Sequence, residues 1–411
     1  MNRRLYLIAG TTLLLGVVST GVVGYLQGDF TAISHQQEVK NAPLAQIALA
    51  DGEITASLDS VQIKGQTATI TEGGEYVITG SASQVIVTVA KEVTEDVTVH
   101  LNNASFASLE FESLGTNIVH LDKESTNVLS GGTAGLTATN VTVMGDGTLE
   151  IKDVEQYGIF TTEDLVVEAG HLSIQSAGSA LYTKNEKNSK HGNLTINGGE
   201  LTIVAGESEG ATGLYAGNQL TINNGTITVE QAYEAYVAQK IAINGGTANL
   251  TALSAGIAAR KEAEGVDKSG DAMLTISDGT TTVSAGINAV LVNGDLDISG
   301  GNHSFATVGA YGSALNYTGE AKLTGGTVLT FGTGTFSKVE QPVVEVALTG
   351  NAGDTVTIVE AAGNEIEAIP APVAFINITY SSGKLTDGEN YFISTTSGSY
   401  GQGIATTEVE E

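Results

Sequence analysis

The sequence predicts an all-β chain: a right-handed parallel β-helix (β-solenoid) with an N-terminal signal or anchor segment and a C-terminal β cap. Three observations predict it. A short pattern of strand, glycine corner and strand recurs along the chain. The composition joins 52 Gly to only 4 Pro, with abundant Thr, Ile, Val and Asn, which suits strands linked by tight corners. An apolar stretch behind two arginines opens the chain.

The repeat is clearest at residues 194–203, LTINGGELTI. Related segments occupy 141–151, 165–174, 220–229, 241–250, 274–283, 296–305 and 321–330. In each, apolar residues two apart flank a corner that ends in glycine: Gly147, Gly170, Gly199, Gly225, Gly246, Gly279, Gly301 and Gly326. Period-two alternation marks strands with one buried face. The corner glycine permits positive φ. A third short strand follows in most repeats, as at 158–161, 180–183, 213–216 and 289–292. Three strands and their corners make one coil of roughly 21–26 residues, the scale of a solenoid. The longer intervals hold polar inserts at 184–192 and 261–271, expected to leave the corners as loops on a binding face. The register of a leucine-rich repeat and the Gly-Gly-x-Gly-x-Asp of the calcium-binding nonapeptide repeat do not recur.

On this reading residues 1–30 are a signal peptide or membrane anchor, 31–59 a linker, 60–338 the β-helix, 339–400 the cap and 401–411 an acidic tail. Arg3 and Arg4 precede the apolar residues 5–26, a stretch long enough to span a bilayer. The protein is therefore expected outside the cell or on its surface, touching membrane only through this segment.

Charge and cysteine content exclude several classes. The formal net charge is −29, and Arg occurs only at 3, 4 and 260. Nucleic-acid binding needs clustered Lys and Arg, and docking on anionic lipid needs the same. With no Cys there are no disulfides, thiolate chemistry or Cys-based zinc sites. Excess carboxylate leaves room for Ca²⁺.

The residues suggest no catalytic centre. Hydrolysis of a polysaccharide needs facing carboxylates at a set separation, and no such ladder recurs at equivalent coil positions; the acids read as solvated corners. The six His residues show no metal-ligand spacing. The aromatic residues are more informative. Phe160, Tyr182 and Tyr215 share one register in three successive coils, each following an inward Ile159, Leu181 or Leu214. They are expected to form an exposed ladder, continued by Tyr236 or by Val237, whose rings either stack on one another and cover the sheet or offer a surface on which sugar rings stack. Glu207 and Glu209 form a candidate cation-binding turn before the third strand of their coil.

Several stretches also carry a family resemblance: ITEGGEYVITG at 70–80, VTVHLNN at 97–103, the repeated LTI-x-GG corners, and the closing region 353–394. Together they cover roughly residues 60–395. The chain resembles the bacterial extracellular carbohydrate-binding-domain family of right-handed parallel β-helices. That resemblance implies binding of polysaccharide, specifically the acidic plant polymer polygalacturonate, with Ca²⁺. Family repeats carry Asp-Gly-Ile at the third strand. Here the Asp position reads Tyr157, Ser179, Thr212, Glu234, Ala255, Asn288 and Ser313, so the resemblance implies a reduced set of Ca²⁺ sites. The family's acidic insert falls here at 184–190, where it is more basic than acidic; the second insert, 261–271, keeps Glu262, Glu264, Asp267 and Asp271 as the further Ca²⁺ candidates among Arg260, Lys261 and Lys268. The expected function is non-catalytic binding of an extracellular polysaccharide, with Ca²⁺ as a candidate aid; the alternative is a structural or adhesive surface rod without sugar specificity.

Overall fold

The computed structural model describes residues 44–408 apart from 51–52, 186, 189, 262–270 and 309–311. The expected anchor at residues 1–30 and most of the expected linker lie outside the described residues. Among the described residues no helix is long and apolar enough to cross a membrane.

The chain winds as a β-solenoid of about 11 turns. Each coil contributes a strand to three stacked rows, and each strand pairs in parallel with its counterpart one coil away. Leu165–Val167 lies on Leu194–Ile196, His171–Ser176 on Glu200–Val204, and Tyr157–Thr161 on Ser179–Thr183. The stacking satisfies the backbone: amides that a lone strand would leave open bond to the next coil.

Inside, the alternating Ile, Leu and Val side chains of all three rows form one continuous apolar core from Ala45 to Val343. One column runs Ile151, Ile174, Ile203, Val229, Leu250, Val283 and Phe305. Like side chains stack at the strand spacing of about 4.8 Å, which explains how so few aromatics suffice.

The corner glycines sit where the column of backbone is tightest. Gly199, Gly225, Gly246, Gly279, Gly301 and Gly326 all have φ between 81° and 104°. A Cβ on Gly225 would stand 2.9 Å from the carbonyl oxygen of Gly199, which accepts the amide of Thr226. Both the conformation and the space exclude a side chain. In the first of these corners the positive φ falls on Gly145 (102°) and not on Gly147, as expected from the repeat. Gly147 instead donates its amide to Leu121, and a Cβ there would meet the Asp122 carbonyl.

Beside the glycines runs a column of side-chain amides. Asn197 Nδ2 donates to Glu168 Oε1 (2.9 Å), Asn223 to Asn197 Oδ1 (2.7 Å) and Asn244 to Asn223 Oδ1 (2.8 Å). The LTINGG motif thus has a second role: its Asn links each corner to the one below.

At the two ends the pattern changes. The solenoid starts earlier than the sequence suggests. Ala45–Ala50, within the segment read as linker, pairs in parallel with Gly74–Val89 and antiparallel with Glu53–Ala56. Its residues alternate buried and exposed, with Ile47 wholly buried; the alternating Ala45, Ile47 and Leu49 were the available signal. At the other end, Ile378–Ser381 pairs antiparallel with Thr327–Phe331 and with Val343–Val346. A four-stranded antiparallel sheet, built from Thr355–Glu360, Glu365–Pro370, Asn390–Thr395 and Tyr400–Ile404, follows with a core of its own. Antiparallel pairing there occupies the last coil's edge, which would otherwise template another chain.

Candidate functional site

The third strand of each coil presents two outward positions, separated by a pair of inward ones. The outward positions are Tyr157 and Phe160, then Ser179 and Tyr182, then Thr212 and Tyr215, then Glu234 and Val237. Register is kept throughout: Phe160 lies on Tyr182, Tyr182 on Tyr215 and Tyr215 on Val237. Val237 therefore continues the row, and Tyr236 turns into the core, where it is completely buried.

The three rings singled out in the sequence do stack, and a fourth joins them. Ring centroids are 4.2 Å apart for Tyr182 and Tyr215, 6.1 Å for Phe160 and Tyr182, 5.0 Å for Tyr157 and Phe160, and 4.9 Å for Tyr157 and Tyr182. Tyr157 was passed over in the sequence because it occupies the family's Asp position. The expected exposure of all three rings does not hold. Tyr215 is only 4% exposed and packs with Val237, Ala255 and Ala258 in an apolar cluster outside the main core. Tyr182 packs against that cluster from its edge. The rings that meet solvent are Tyr157, Phe160 and Tyr182, each half-buried.

Around the next corner of the same coils lies a shallow groove of about 650 Å³, lined in part by Asp164, Lys190, Asn193, Asn218, Gln219 and Thr221. Each strand of the stack leads into it. Phe160 is four residues before Asp164, and Tyr215 shares the strand Thr212–Ile222 with Gln219 and Thr221. The insert at 184–192 supplies Lys190 to the lining, and its His191 meets Asp164. The groove's polar groups form a column along the solenoid axis. Asn218 Nδ2 donates to Asn193 Oδ1 (2.7 Å), and Asn193 Nδ2 donates to Asp164 Oδ1 (2.8 Å). Asp164 also takes the amide of Asn193 and lies 3.0 Å from His191 Nδ1. Fixed donors and acceptors of this kind, beside flat apolar rings, can take up hydroxyls and C–H surfaces together.

The acids at the third strand are not all solvated corners. Glu234 is buried at 5% exposure and holds Arg260 of the following coil in a two-point pair, Nη1 to Oε1 at 2.8 Å and Nη2 to Oε2 at 2.7 Å. Next to it, Thr212 Oγ1 donates to Ser179 Oγ at 3.0 Å. The outward positions Ser179, Thr212 and Glu234 thus form a short polar column whose one carboxylate is paired with Arg260.

The Ca²⁺ candidates are dispersed. Glu207 and Glu209 are exposed on the turn before Thr212–Ile222. Asp271 lies 3.9 Å from Lys261 Nζ. Glu262, Glu264 and Asp267 lie outside the described residues. Ca²⁺ takes six to eight oxygens. Among the described residues, neither Glu207, Glu209 nor Asp271 belongs to a group of three converging donors. The histidines correct the reading more sharply: His100 and His120 fall on adjacent coils and meet Asp122, although they are 20 residues apart in sequence.

Comparison with known proteins bears on this surface. A family model described as carbohydrate-binding domain-containing protein matches residues 64–310, more than half of the chain. The chain belongs to this family. The carbohydrate-binding-domain match takes in the aromatic stack and the groove, and ends close to the last regular coils. A solved structure of the polysaccharide lyase-like protein from C. thermocellum, as a gadolinium derivative, aligns at 16% identity over 71% of this chain and 95% of that one. Its TM-score is 0.29, a likeness too low to say anything of mechanism. No curated protein matches the chain.

Proposed function

We propose that this protein is a non-catalytic extracellular polysaccharide-binding protein, with its ligand lying along the Tyr157–Phe160–Tyr182 rings and the adjoining groove. The observation that carries this reading is the union of the two on the same three coils: stacked rings on one side of a corner, and the Asp164–Asn193–Asn218 column on the other. Coils repeat at about 4.8 Å, close to the length of one sugar residue in a chain. Successive coils can therefore meet successive residues, and weak contacts sum by avidity. Membership of a carbohydrate-binding family supports the same ligand class.

A binding role is supported further by the commitments of the local acids and bases. Asp164 is engaged by Asn193 and His191, and Glu234 by Arg260. A group held in this way is poorly placed to exchange protons with a substrate.

We propose a neutral glycan ahead of polygalacturonate. A chain of net charge −29 repels a polyanion unless a cation bridges them. Glu207, Glu209 and Asp271 do not complete a Ca²⁺ shell among the described residues. Export by residues 5–26, with retention at the cell surface, fits such a role and is part of the proposal.

The test is retention on insoluble and gelled polysaccharides, polygalacturonate included, with Ca²⁺ or with chelator. We expect retention on a neutral polymer, unchanged by chelator. Retention on polygalacturonate alone, lost in chelator, would restore the Ca²⁺-bridged mechanism. Absence of retention on every polymer would turn the reading to an adhesive or structural rod.

A further inference from the structure

We propose that His100, His120 and Asp122 form a binding site for a divalent transition metal, Zn²⁺ in the first instance, that clamps two adjacent coils near the N-terminal end of the solenoid. His100 and His120 are direct register partners on the Gly-free strands Val97–Phe111 and Asn117–Leu121, which pair without a break from Val97 to Leu101. Their neighbours Val99, Leu101, Val119 and Leu121 are wholly buried, so alternation turns both imidazoles outward and fixes them from below. The rings are 4.8 Å apart.

Asp122 closes the group. Its Oδ1 stands 3.1 Å from Nδ1 of His100 and 3.1 Å from Nδ1 of His120. One donor atom from each of the three residues lies within 4.8 Å of the others. In a tetrahedral site with bonds of 2.0–2.1 Å, ligand atoms are about 3.3 Å apart, so two of the three edges already have the required length. Asp122 is held by its backbone: its amide donates to Leu101, and its carbonyl accepts from the amide and hydroxyl of Ser125.

On the far side of the His100 ring, Glu75 Oε2 lies 3.6 Å from Nε2. At that distance Glu75 is an ion-pair neighbour and not a hydrogen-bond acceptor, and its negative charge beside the ring favours a bound cation. Side-chain exposures of 19%, 33% and 27% for His100, His120 and Asp122 leave the group partly dried yet open to an ion. Two imidazoles and a carboxylate suit Zn²⁺, Ni²⁺ or Cu²⁺ and not Ca²⁺, which takes oxygen ligands. Three protein ligands leave the fourth position for water or a ligand group.

The experiment is titration of the untagged full-length protein with ZnCl₂ after removal of metal by chelator, followed by calorimetry and by the ¹⁵N shifts of the histidine rings. We expect one Zn²⁺ per chain, with two imidazoles shifting at Nδ1. His100→Ala and His120→Ala should each weaken binding by about 100-fold or more, and Glu75→Gln by about tenfold. Asp122→Asn separates metal binding from simple hydrogen bonding. The side-chain amide keeps the size and hydrogen-bonding reach of the carboxylate, so the metal-free fold should be kept while Zn²⁺ affinity falls. The control His171→Ala should bind Zn²⁺ as the unaltered protein does. The ring shifts need no variant, so a variant that fails to fold leaves the test intact. No Zn²⁺ uptake by the unaltered protein, no shift at two Nδ1 atoms, or undiminished uptake by His100→Ala/His120→Ala would each overturn the proposal.

Discussion

The rings of Tyr182 and Tyr215 lie 4.2 Å apart and 10° from parallel, yet Tyr215 is buried and Tyr182 keeps part of its surface in solvent. One stack thus serves two ends: Tyr215 closes an apolar cluster and Tyr182 offers its outer surface. The two residues should separate on mutation. Tyr215→Ala is expected to destabilise the fold by about 3 kcal/mol, the cost of truncating a buried aromatic. Tyr182→Ala and Phe160→Ala should cost about 1 kcal/mol of stability while sharply reducing retention on the bound polysaccharide. Denaturant midpoints and pull-down read the two effects separately, and retention at the unaltered protein's level in folded Tyr182→Ala and Phe160→Ala would remove the stack from binding.

Glu234 and Arg260 should behave as a unit. Arg260→Met strands a buried carboxylate, and the expected loss is about 3 kcal/mol. The double change Glu234→Leu/Arg260→Met removes both charges and should recover most of it, to within about 1 kcal/mol of the unaltered protein. A double-mutant cycle on unfolding free energies checks the coupling.

The corner glycines are expected to be intolerant for a steric reason. Gly225 combines a φ of 104° with a neighbouring carbonyl 2.9 Å from the absent Cβ. Gly225→Ala should destabilise by about 2 kcal/mol or more, whereas Gly363→Ala, at φ 87° with nothing near its Cβ position, should lose only about 1 kcal/mol. Thermal unfolding of the pair distinguishes crowding from conformational strain.

Tyr236 buries its hydroxyl in the core with no hydrogen-bond partner, and burial drives its pKa far upward. Tyr236→Phe is expected to be neutral or stabilising by about 1 kcal/mol, since it removes a polar group that burial leaves unpaired. A loss of stability on chemical denaturation would show that the hydroxyl has a partner after all.

Acid should weaken the fold in two steps. His303 lies in the solenoid interior with Nε2 2.7 Å from the Gly300 carbonyl and with Nδ1 unpaired. Burial holds its pKa below the ordinary 6.5. The unfolded chain therefore binds a proton there more readily, and stability is lost as pH falls below about 6.5. Asp354, in the C-terminal region, is held below the ordinary 3.8 by the Asn351 amide and by the hydroxyls of Ser397 and Thr396. The stability it contributes is present above 3.8 and is lost as pH falls through its lowered pKa. His303→Phe should flatten the first step and leave the second, measured as unfolding free energy against pH.

The coiled architecture was legible because its signal repeats. Two apolar residues two apart, a Gly corner and a third strand recur often enough that the register at Leu165, Leu194 and Leu220 could be aligned without a structure. The start of the solenoid was missed because Ala45–Ala50 alternates weakly, with alanine at three of six positions. The aromatic column was legible for the same reason as the coils, since Phe160, Tyr182 and Tyr215 hold one place in the repeat. Tyr157 was not, because it stands at a position judged by its lost carboxylate. The His100–His120–Asp122 group was invisible to ligand spacing, because in a solenoid the relevant spacing is one coil.

By itself the sequence determined the period-two alternation, the positions of the corners and the order of the strands, because these depend on residues within a few places of one another. Only the tertiary structure decided which outward residues see solvent. Burial of Tyr215, pairing of Glu234 with Arg260 and the meeting of two histidines over Asp122 all depend on how far each coil is offset from the next. A single residue inserted in a corner changes that offset without disturbing any local pattern.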